Sequence, residues 1–235
     1  MCVQLMVFKG HSVIVVFDVN ETLLDISHMD PLFEEFFGSG EIRKEWFEQV
    51  IQDALVVSLL DNYSDFGKIG VSAFELIAAR RGVTVVESDF SRVVAAMRSL
   101  PPHAEVRGQL ERLKQHGVPM VTLTNSPPAL VAAQLENAEI SHFFDKQLSV
   151  DAVKAFKPAA KVYKHAETEL GVDASDIWLV AAHNWDTSGA ISAGWNAAFV
   201  ARPGKALSRL DGKPEIVGDS MVEVVDQLLE RFASE

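Results

Sequence analysis

Asp18 closes an unbroken apolar run, Val13-Ile14-Val15-Val16-Phe17, and is followed by Val19-Asn20-Glu21-Thr22-Leu23. A carboxylate at the end of such a run can act as a nucleophile, forming a covalent intermediate that divides one hard displacement into two easier ones. Thr22 can set a hydroxyl beside it. Three further clusters carry groups that would support this chemistry: Thr124 with Asn125, Lys157, and Asp186. A buried ammonium at Lys157 would keep Asp18 ionised and would stabilise charge on the later ester. Thr124, Asn125 and the amides around them can hold a carboxylate or phosphate without a metal. Asp186, at the start of a helix, can orient Lys157 or a hydrolytic water. Each group alone has a plainer reading: turn chemistry for Asp18 and for Thr124-Asn125, a solvated surface lysine, and a helix cap at Asp186. Their shared position at strand ends favours the chemical reading.

The elements that must bring them together follow from periodicity. Five consecutive apolar residues rich in β-branched side chains predict a strand buried on both faces, as in a parallel α/β sheet, whose ligands gather at the strands' carboxyl ends. Strands are also predicted at Met120–Leu123, Ile177–Val180 and Ala197–Val200, alternating with helices over Glu105–His116, Ala129–Glu136 and from Asn184-Trp185-Asp186 to Gly194. Lys157-Pro158 is expected to open another helix, with Pro158 in its first turn and Gly171 as its C-terminal cap. Met221–Phe232 reads as a terminal helix. Between residues 26 and 99 the patterns are helical only: Glu41–Leu60, Lys68–Arg81 before Gly82, and Glu87–Ser99 before Pro101-Pro102. The expected organisation is therefore an α/β core of residues 1–25 and 100–235, with a helical cap of residues 26–99 inserted over the first strand's carboxyl end.

Composition agrees with this class and excludes others. The 235 residues suffice for one large core plus a smaller inserted unit, and 48% hydrophobic with 23% charged residues is ordinary globular material. A net charge of −12 argues against a nucleic-acid partner and requires any anion site to be built locally. The one cysteine, Cys2, has no internal disulfide partner, which suits a reducing cytosol. The first seventeen residues are fairly apolar, but Lys9 and His11 interrupt them and no small-residue cleavage site follows, so they read as an N-terminal strand, with a signal peptide as the remote alternative. A cytoplasmic location is expected.

The segments Phe17-Asp18-Val19-Asn20-Glu21-Thr22-Leu23, Leu123-Thr124-Asn125, Lys157-Pro158 and Asn184-Trp185-Asp186 resemble, in order and spacing, the motifs of the haloacid dehalogenase superfamily, and more narrowly the type II (S)-2-haloacid dehalogenases. The resemblance covers nearly the whole chain. It implies a Rossmann-like parallel sheet core with a helical cap domain, a small-molecule substrate, a homodimer and no cofactor. It also implies the reaction: the aspartate matching Asp18 displaces halide from C2 of a short 2-haloalkanoic acid, and water hydrolyses the ester to the inverted 2-hydroxy acid. Tyr163, six residues after Lys157, matches a further active-site residue, and Val19, Asn20, Thr124, Asn125, His183, Asn184 and Trp185 fall where such enzymes contact substrate.

Two positions separate this reaction from phosphoryl transfer. Phosphatases of the superfamily carry a second aspartate two residues after the nucleophile and an acidic magnesium ligand early in the last motif; here those places hold Asn20 and Ala182. Asn20 cannot protonate an alkoxide and Ala182 cannot bind a hard cation. A halide leaves as a weak base and needs neither. The alternatives are a magnesium-dependent small-molecule phosphatase, or a catalytically weak relative kept for binding.

Other positions depart from the dehalogenase pattern. Phe47 stands where those enzymes carry an arginine that binds the substrate carboxylate or the departing halide, a loss of roughly 2 to 5 kcal/mol unless Arg43, Lys44 or another donor substitutes. Ala181 and His183 replace a small hydroxyl residue and an asparagine. His183 can activate the hydrolytic water or, protonated, bind the anion; packing or a simple hydrogen bond is its plainer role. Trp46, Phe47, Tyr63 and Phe66 either wall an apolar pocket or pack the cap, and Trp185 and Trp195 read as structural.

Overall fold

A computed structural model describes residues 7–8, 11–210 and 212–234. Cys2 and Lys9 lie outside the described residues. Two short antiparallel strands, β1 (Val7–Phe8) and β2 (His11–Ser12), precede the main sheet.

The strand β3 (Ile14–Phe17) is fully buried along its length, as its apolar run requires, and it pairs on both edges with parallel neighbours. The other strands are β4 (Met120–Thr124), β5 (Lys146–Ser149), β6 (Ile177–Ala181), β7 (Asn196–Val200) and β8 (Ile216–Gly218), in the order β5-β4-β3-β6-β7-β8. All five pairings in this sheet are parallel. The chain builds outward from β3 to β5, then crosses to β6 and builds the other way to β8. The junction of β3 with β6 is therefore the topological switch point, where the loops leaving two neighbouring strands diverge and open a crevice. Asp18 follows β3, and His183 and Asp186 follow β6.

Four helices lie between β3 and the rest of the sheet: α1 (Asp30–Phe37), α2 (Ile42–Leu59), α3 (Phe66–Arg81) and α4 (Glu87–Arg98). The chain leaves and returns at one place, where Asp25 N–H donates to the Pro101 carbonyl at 2.8 Å and His103 N–H to the Leu23 carbonyl at 3.0 Å. Phe33, Trp46 and Phe74 pack at their centre, with ring centroids 5.3 and 5.8 Å from Phe33, and the Trp46 indole donates to the Gly70 carbonyl at 2.9 Å. The remaining helices, α5 (Val106–Gln115), α6 (Pro128–Asn137), α7 (Ala160–Leu170), α8 (Asn184–Ser192) and α9 (Met221–Ser234), cover the sheet. No described helix is long and apolar enough to cross a membrane.

Three features differ from the periodicity. The edge strands β5 and β8 and the short helix α1 were not predicted as elements: Lys146-Gln147-Leu148-Ser149 holds a single apolar residue, too few to signal a strand at the sheet edge, and β8 has three residues. Pro158 does not occupy a first helical turn. The Lys157–Pro158 peptide is cis, and α7 begins at Ala160 after an extended Ala159. Finally, Trp195 packs edge-on against Tyr163, centroids 5.4 Å apart, and donates its indole N–H to Glu167, whereas Trp185 stacks flat on His183 at 4.8 Å and does more than pack.

Candidate active site

The strand ends bring Asp18, Thr22, Lys157, Tyr163, His183 and Asp186 into one hydrogen-bonded cluster. Lys157 is buried, and its ammonium donates to Asp18 Oδ1 at 2.8 Å, Asp186 Oδ2 at 2.6 Å and the Leu123 carbonyl at 2.9 Å. Three donors meet three acceptors, so the ammonium is held without slack. Asn125 fixes the same residue from behind, its amide oxygen accepting from Lys157 N–H at 3.0 Å. Asp18 Oδ2 accepts from the Thr22 hydroxyl at 2.7 Å, and that hydroxyl accepts in turn from Ala182 N–H at 2.9 Å. Asp186 Oδ1 accepts from Tyr163 at 2.7 Å.

Burial would raise the Asp18 pKa, but the Lys157 charge and the hydrogen bond and charge of His183 outweigh it and hold the carboxyl well below the usual carboxylate range. Burial pulls the Lys157 ammonium down, and the charges of Asp18 and Asp186 more than restore it. Asp186 is pushed up by burial, with Asp18 adding to the shift. Of the two carboxylates sharing one ammonium, Asp18 therefore keeps its charge the more firmly, as a nucleophile must. With one oxygen on Lys157 and one on Tyr163, Asp186 is held against the lysine.

His183 lies on the other side of Asp18. Its Nδ1 is 3.1 Å from Asp18 Oδ2 and its Nε2 is 2.8 Å from Glu21 Oε2, while Lys205 donates to the same Glu21 oxygen at 2.6 Å. Burial lowers the imidazole pKa, but the hydrogen bonds and charges of Asp18 and Glu21 prevail and raise it from 6.5 to about 9. Burial likewise opposes ionisation of Glu21, and His183 with Lys205 brings it down from 4.5 to about 2. Glu21 has φ +63°, a left-handed conformation that costs a non-glycine residue about 1 to 2 kcal/mol, maintained here by the contacts of its carboxylate.

The stability profile follows from these shifts. The His183 contribution is complete below pH 6.5 and is lost as pH rises toward 9; the Glu21 contribution is complete above pH 4.5 and is lost as pH falls toward 2. Thermal unfolding should therefore show an alkaline decline between pH 6.5 and 9. His183→Asn should flatten that limb, and an unchanged limb would contradict the imidazolium.

Packing fixes Tyr163 as closely as hydrogen bonding does. A Cβ added at Gly189 of α8 would sit 2.3 Å from the Tyr163 hydroxyl and 2.7 Å from Pro158 Cβ. Gly189→Ala is expected to destabilise the protein by about 1 to 3 kcal/mol through overpacking and to displace Tyr163 from Asp186. Denaturant titration together with the rate of turnover checks both effects.

A cleft of about 300 Å³ opens beside this cluster, lined by Glu21, Phe47, Ala182, His183, Trp185 and Lys205 among others. Asp18 lies directly behind His183 and is 4% exposed. Against this geometry, a family model for haloacid dehalogenase-like hydrolases matches residues 13–194.

The chain belongs to the haloacid dehalogenase-like hydrolase family.

Among its relatives, an (S)-2-haloacid dehalogenase of Xanthobacter autotrophicus is 30% identical over 193 residues, covering 80% of this chain and 74% of the relative. One from Pseudomonas fluorescens is 29% identical over 216 residues, covering 91% and 95%. Among solved structures, an L-2-haloacid dehalogenase superposes with TM-score 0.89 at 28% identity, covering 93% of this chain and 99% of the other.

Within this haloacid dehalogenase-like hydrolase, the residues named from sequence divide into three groups. Asp18, Thr22, Lys157, Asp186, Tyr163, Asn125 and His183 converge, although Tyr163 is fully buried and touches Asp186, so it supports the lysine's partner and is no wall for substrate. Phe47, His183, Asn184 and Trp185 line the cleft. Val19 lies in the hydrophobic core, and Asn20 is held by Ser126 and Gln134 at 3.2 and 3.0 Å. Thr124 accepts from Ser126 N–H at 3.1 Å, which shapes the loop after β4.

The place of Phe47 is filled differently from expectation. Neither Arg43 nor Lys44 supplies a free cation, since Arg43 bonds to Asp30 and Lys44 to Glu41. Instead the Phe47 ring lies 6.2 Å from the His183 ring at 27°, and the Trp185 ring stacks on the same imidazole at 4.8 Å. Sequence reasoning passed over Glu21 and Lys205. Glu21 sits inside the first motif, and Lys205 follows a strand end, as the other site residues do; both signals were present.

Proposed function

We propose that the protein is a hydrolytic 2-haloacid dehalogenase acting on short (S)-2-haloalkanoic acids through an Asp18 ester. The ionised, lysine-held Asp18 carboxylate carries this reading. One of its oxygens attacks C2, the carbon–halogen bond breaks with both electrons going to halide, and an alkyl ester remains. Lys157 keeps the carboxylate charged before attack and stays beside the ester carbonyl, where negative charge develops when water adds at Cγ. Collapse returns the Asp18 carboxylate and releases the 2-hydroxy acid with inverted configuration.

The same positions weigh against phosphoryl transfer. The Asn20 amide accepts from Gln134 and donates to Ser126, so it is fixed as well as non-acidic, and Ala182 contributes only a backbone donor. Residues 26–99 serve, in this proposal, as a helical cap whose α2 presents Phe47 to the site. Asn125, with its amide oxygen engaged by Lys157 N–H, is left to offer its amide hydrogens to an anionic substrate. No metal or cofactor is required by these groups.

Single turnover on 2-chloropropionate in heavy-oxygen water tests the proposal. Chloride should be released and the heavy isotope should enter the Asp18 carboxylate; isotope confined to lactate in the first turnover would exclude the ester. Phosphate release from p-nitrophenyl phosphate should stay at background with and without magnesium.

A further inference from the structure

The His183 contacts carry more than a substrate-binding role. Both ring nitrogens face carboxylates, Asp18 at 3.1 Å and Glu21 at 2.8 Å. An ionised carboxylate only accepts hydrogen bonds, so both nitrogens must carry hydrogen while both acids are charged. The resting enzyme thus holds an imidazolium wedged against its own nucleophile, which cannot act as a base.

Resting on the dehalogenase reading above, we propose that esterification of Asp18 converts His183 from imidazolium to the general base of the hydrolytic half-reaction, with Glu21 as its positioning residue. Alkylation removes the negative charge on Asp18 and leaves a weaker carbonyl acceptor, so one of the two supports of the imidazolium disappears in the step that creates the need for a base. The proton departs to the cleft that His183, Glu21 and Lys205 line together. The first half-reaction then consumes substrate and yields ester, neutral His183, halide and one proton. In the second, His183 takes a proton from water as the oxygen adds to Cγ. The tetrahedral species expels the alkoxide, which takes the remaining hydroxyl proton, and the enzyme returns to carboxylate and imidazolium. Atoms and charge balance over both halves.

The surroundings suit this cycle. Asp18 and Glu21 meet the ring from the loop after β3, with Lys157 behind Asp18. From the loop after β7, Lys205 bonds to Glu21, and from α2 the Arg43 guanidinium is 3.9 Å from Glu21 while Glu48 lines the same cleft. The Phe47 and Trp185 rings both lie near-parallel to the imidazole, 6.2 and 4.8 Å away, and its two nitrogens are held toward Asp18 and Glu21. Glu21, at positive φ, is the residue whose backbone is distorted to complete that line.

The experiment combines rapid-quench intact-mass measurement with a pH indicator, under single turnover with 2-chloropropionate, on wild type, His183→Asn and Glu21→Gln. In wild type one proton should appear with chloride and ahead of lactate. In His183→Asn the Asp18 adduct should accumulate and decay about 10² to 10⁴ times more slowly than in wild type. In Glu21→Gln the adduct should also persist, and the pH midpoint of its decay should move down, a displacement that loss of packing alone would not cause. An adduct decaying at the wild-type rate in His183→Asn, an unmoved midpoint in folded Glu21→Gln, or proton release coincident with lactate would each overturn the assignment while leaving the ester mechanism intact. Absence of both chloride and adduct in every protein, wild type included, would overturn the dehalogenase reading and the His183 assignment with it.

Discussion

Asp18→Asn is expected to lower turnover by roughly 10⁴-fold or more while leaving the protein folded, because an amide oxygen lacks the charge that attacks carbon and no other described group can replace it at that place. The fold should tolerate the change. Lys157 retains Asp186 at 2.6 Å and the Leu123 carbonyl at 2.9 Å, and the Thr22 hydroxyl can still donate to the new amide oxygen. The loss therefore belongs to chemistry and should appear in kcat with a circular dichroism spectrum like that of wild type. One complication is chemical: a neighbouring water could hydrolyse the introduced amide back to the wild-type carboxylate, so the variant's mass must be checked before and after assay. Retention of more than a tenth of wild-type activity in protein of verified mass would remove Asp18 from the role of nucleophile.

Lys157→Met is expected to damage both activity and stability. The substitution leaves Asp18 and Asp186 buried with the charge between them removed, and breaking a buried pair on one side costs about 3 to 5 kcal/mol. For a chain of this size that corresponds to a fall in Tm of roughly 6 to 20 °C. The pH dependence gives the mechanism its own signature. Without the ammonium, burial and the Asp18 charge raise the native pKa of Asp186 further above its unfolded value, so stability lost at neutral pH should be partly recovered as pH falls and Asp186 takes up a proton. Turnover should not recover with it, since the ammonium that holds Asp18 and would face the ester is still missing. Thermal melts of wild type and variant from pH 5 to 8 check the sign, and a gap between them that widened toward acid would contradict it.

The two substitutions separate what each residue type contributes. Asp18 is held by several partners and can be altered with local consequences, whereas Lys157 is the shared partner of two acids and of a backbone carbonyl. Its burial is secured by neighbours that sequence does not place beside it, Leu123 from β4 and Asn125 from the turn that follows.

Much of this arrangement was readable along the chain. The run Val13–Phe17 requires burial on both faces, which places Asp18 at the carboxyl end of a central strand; the apolar segments at 120–123, 177–180 and 197–200 do the same for their own polar followers. Residue types alone also weigh against a proton donor at Asn20 and a hard-metal ligand at Ala182. These are local properties: hydrophobic periodicity and functional-group chemistry are carried by neighbouring residues and need no knowledge of what lies across the molecule. What the tertiary structure decided was pairing. Glu21 became a partner of His183, 162 positions away, and Phe47 a face for the same ring, because a parallel sheet reverses its build direction between β3 and β6 and brings their following loops into one crevice. Whether His183 is neutral or charged depends on those two carboxylates and on burial. Such fields fall off over a few ångströms of space and have no expression in distance along the chain.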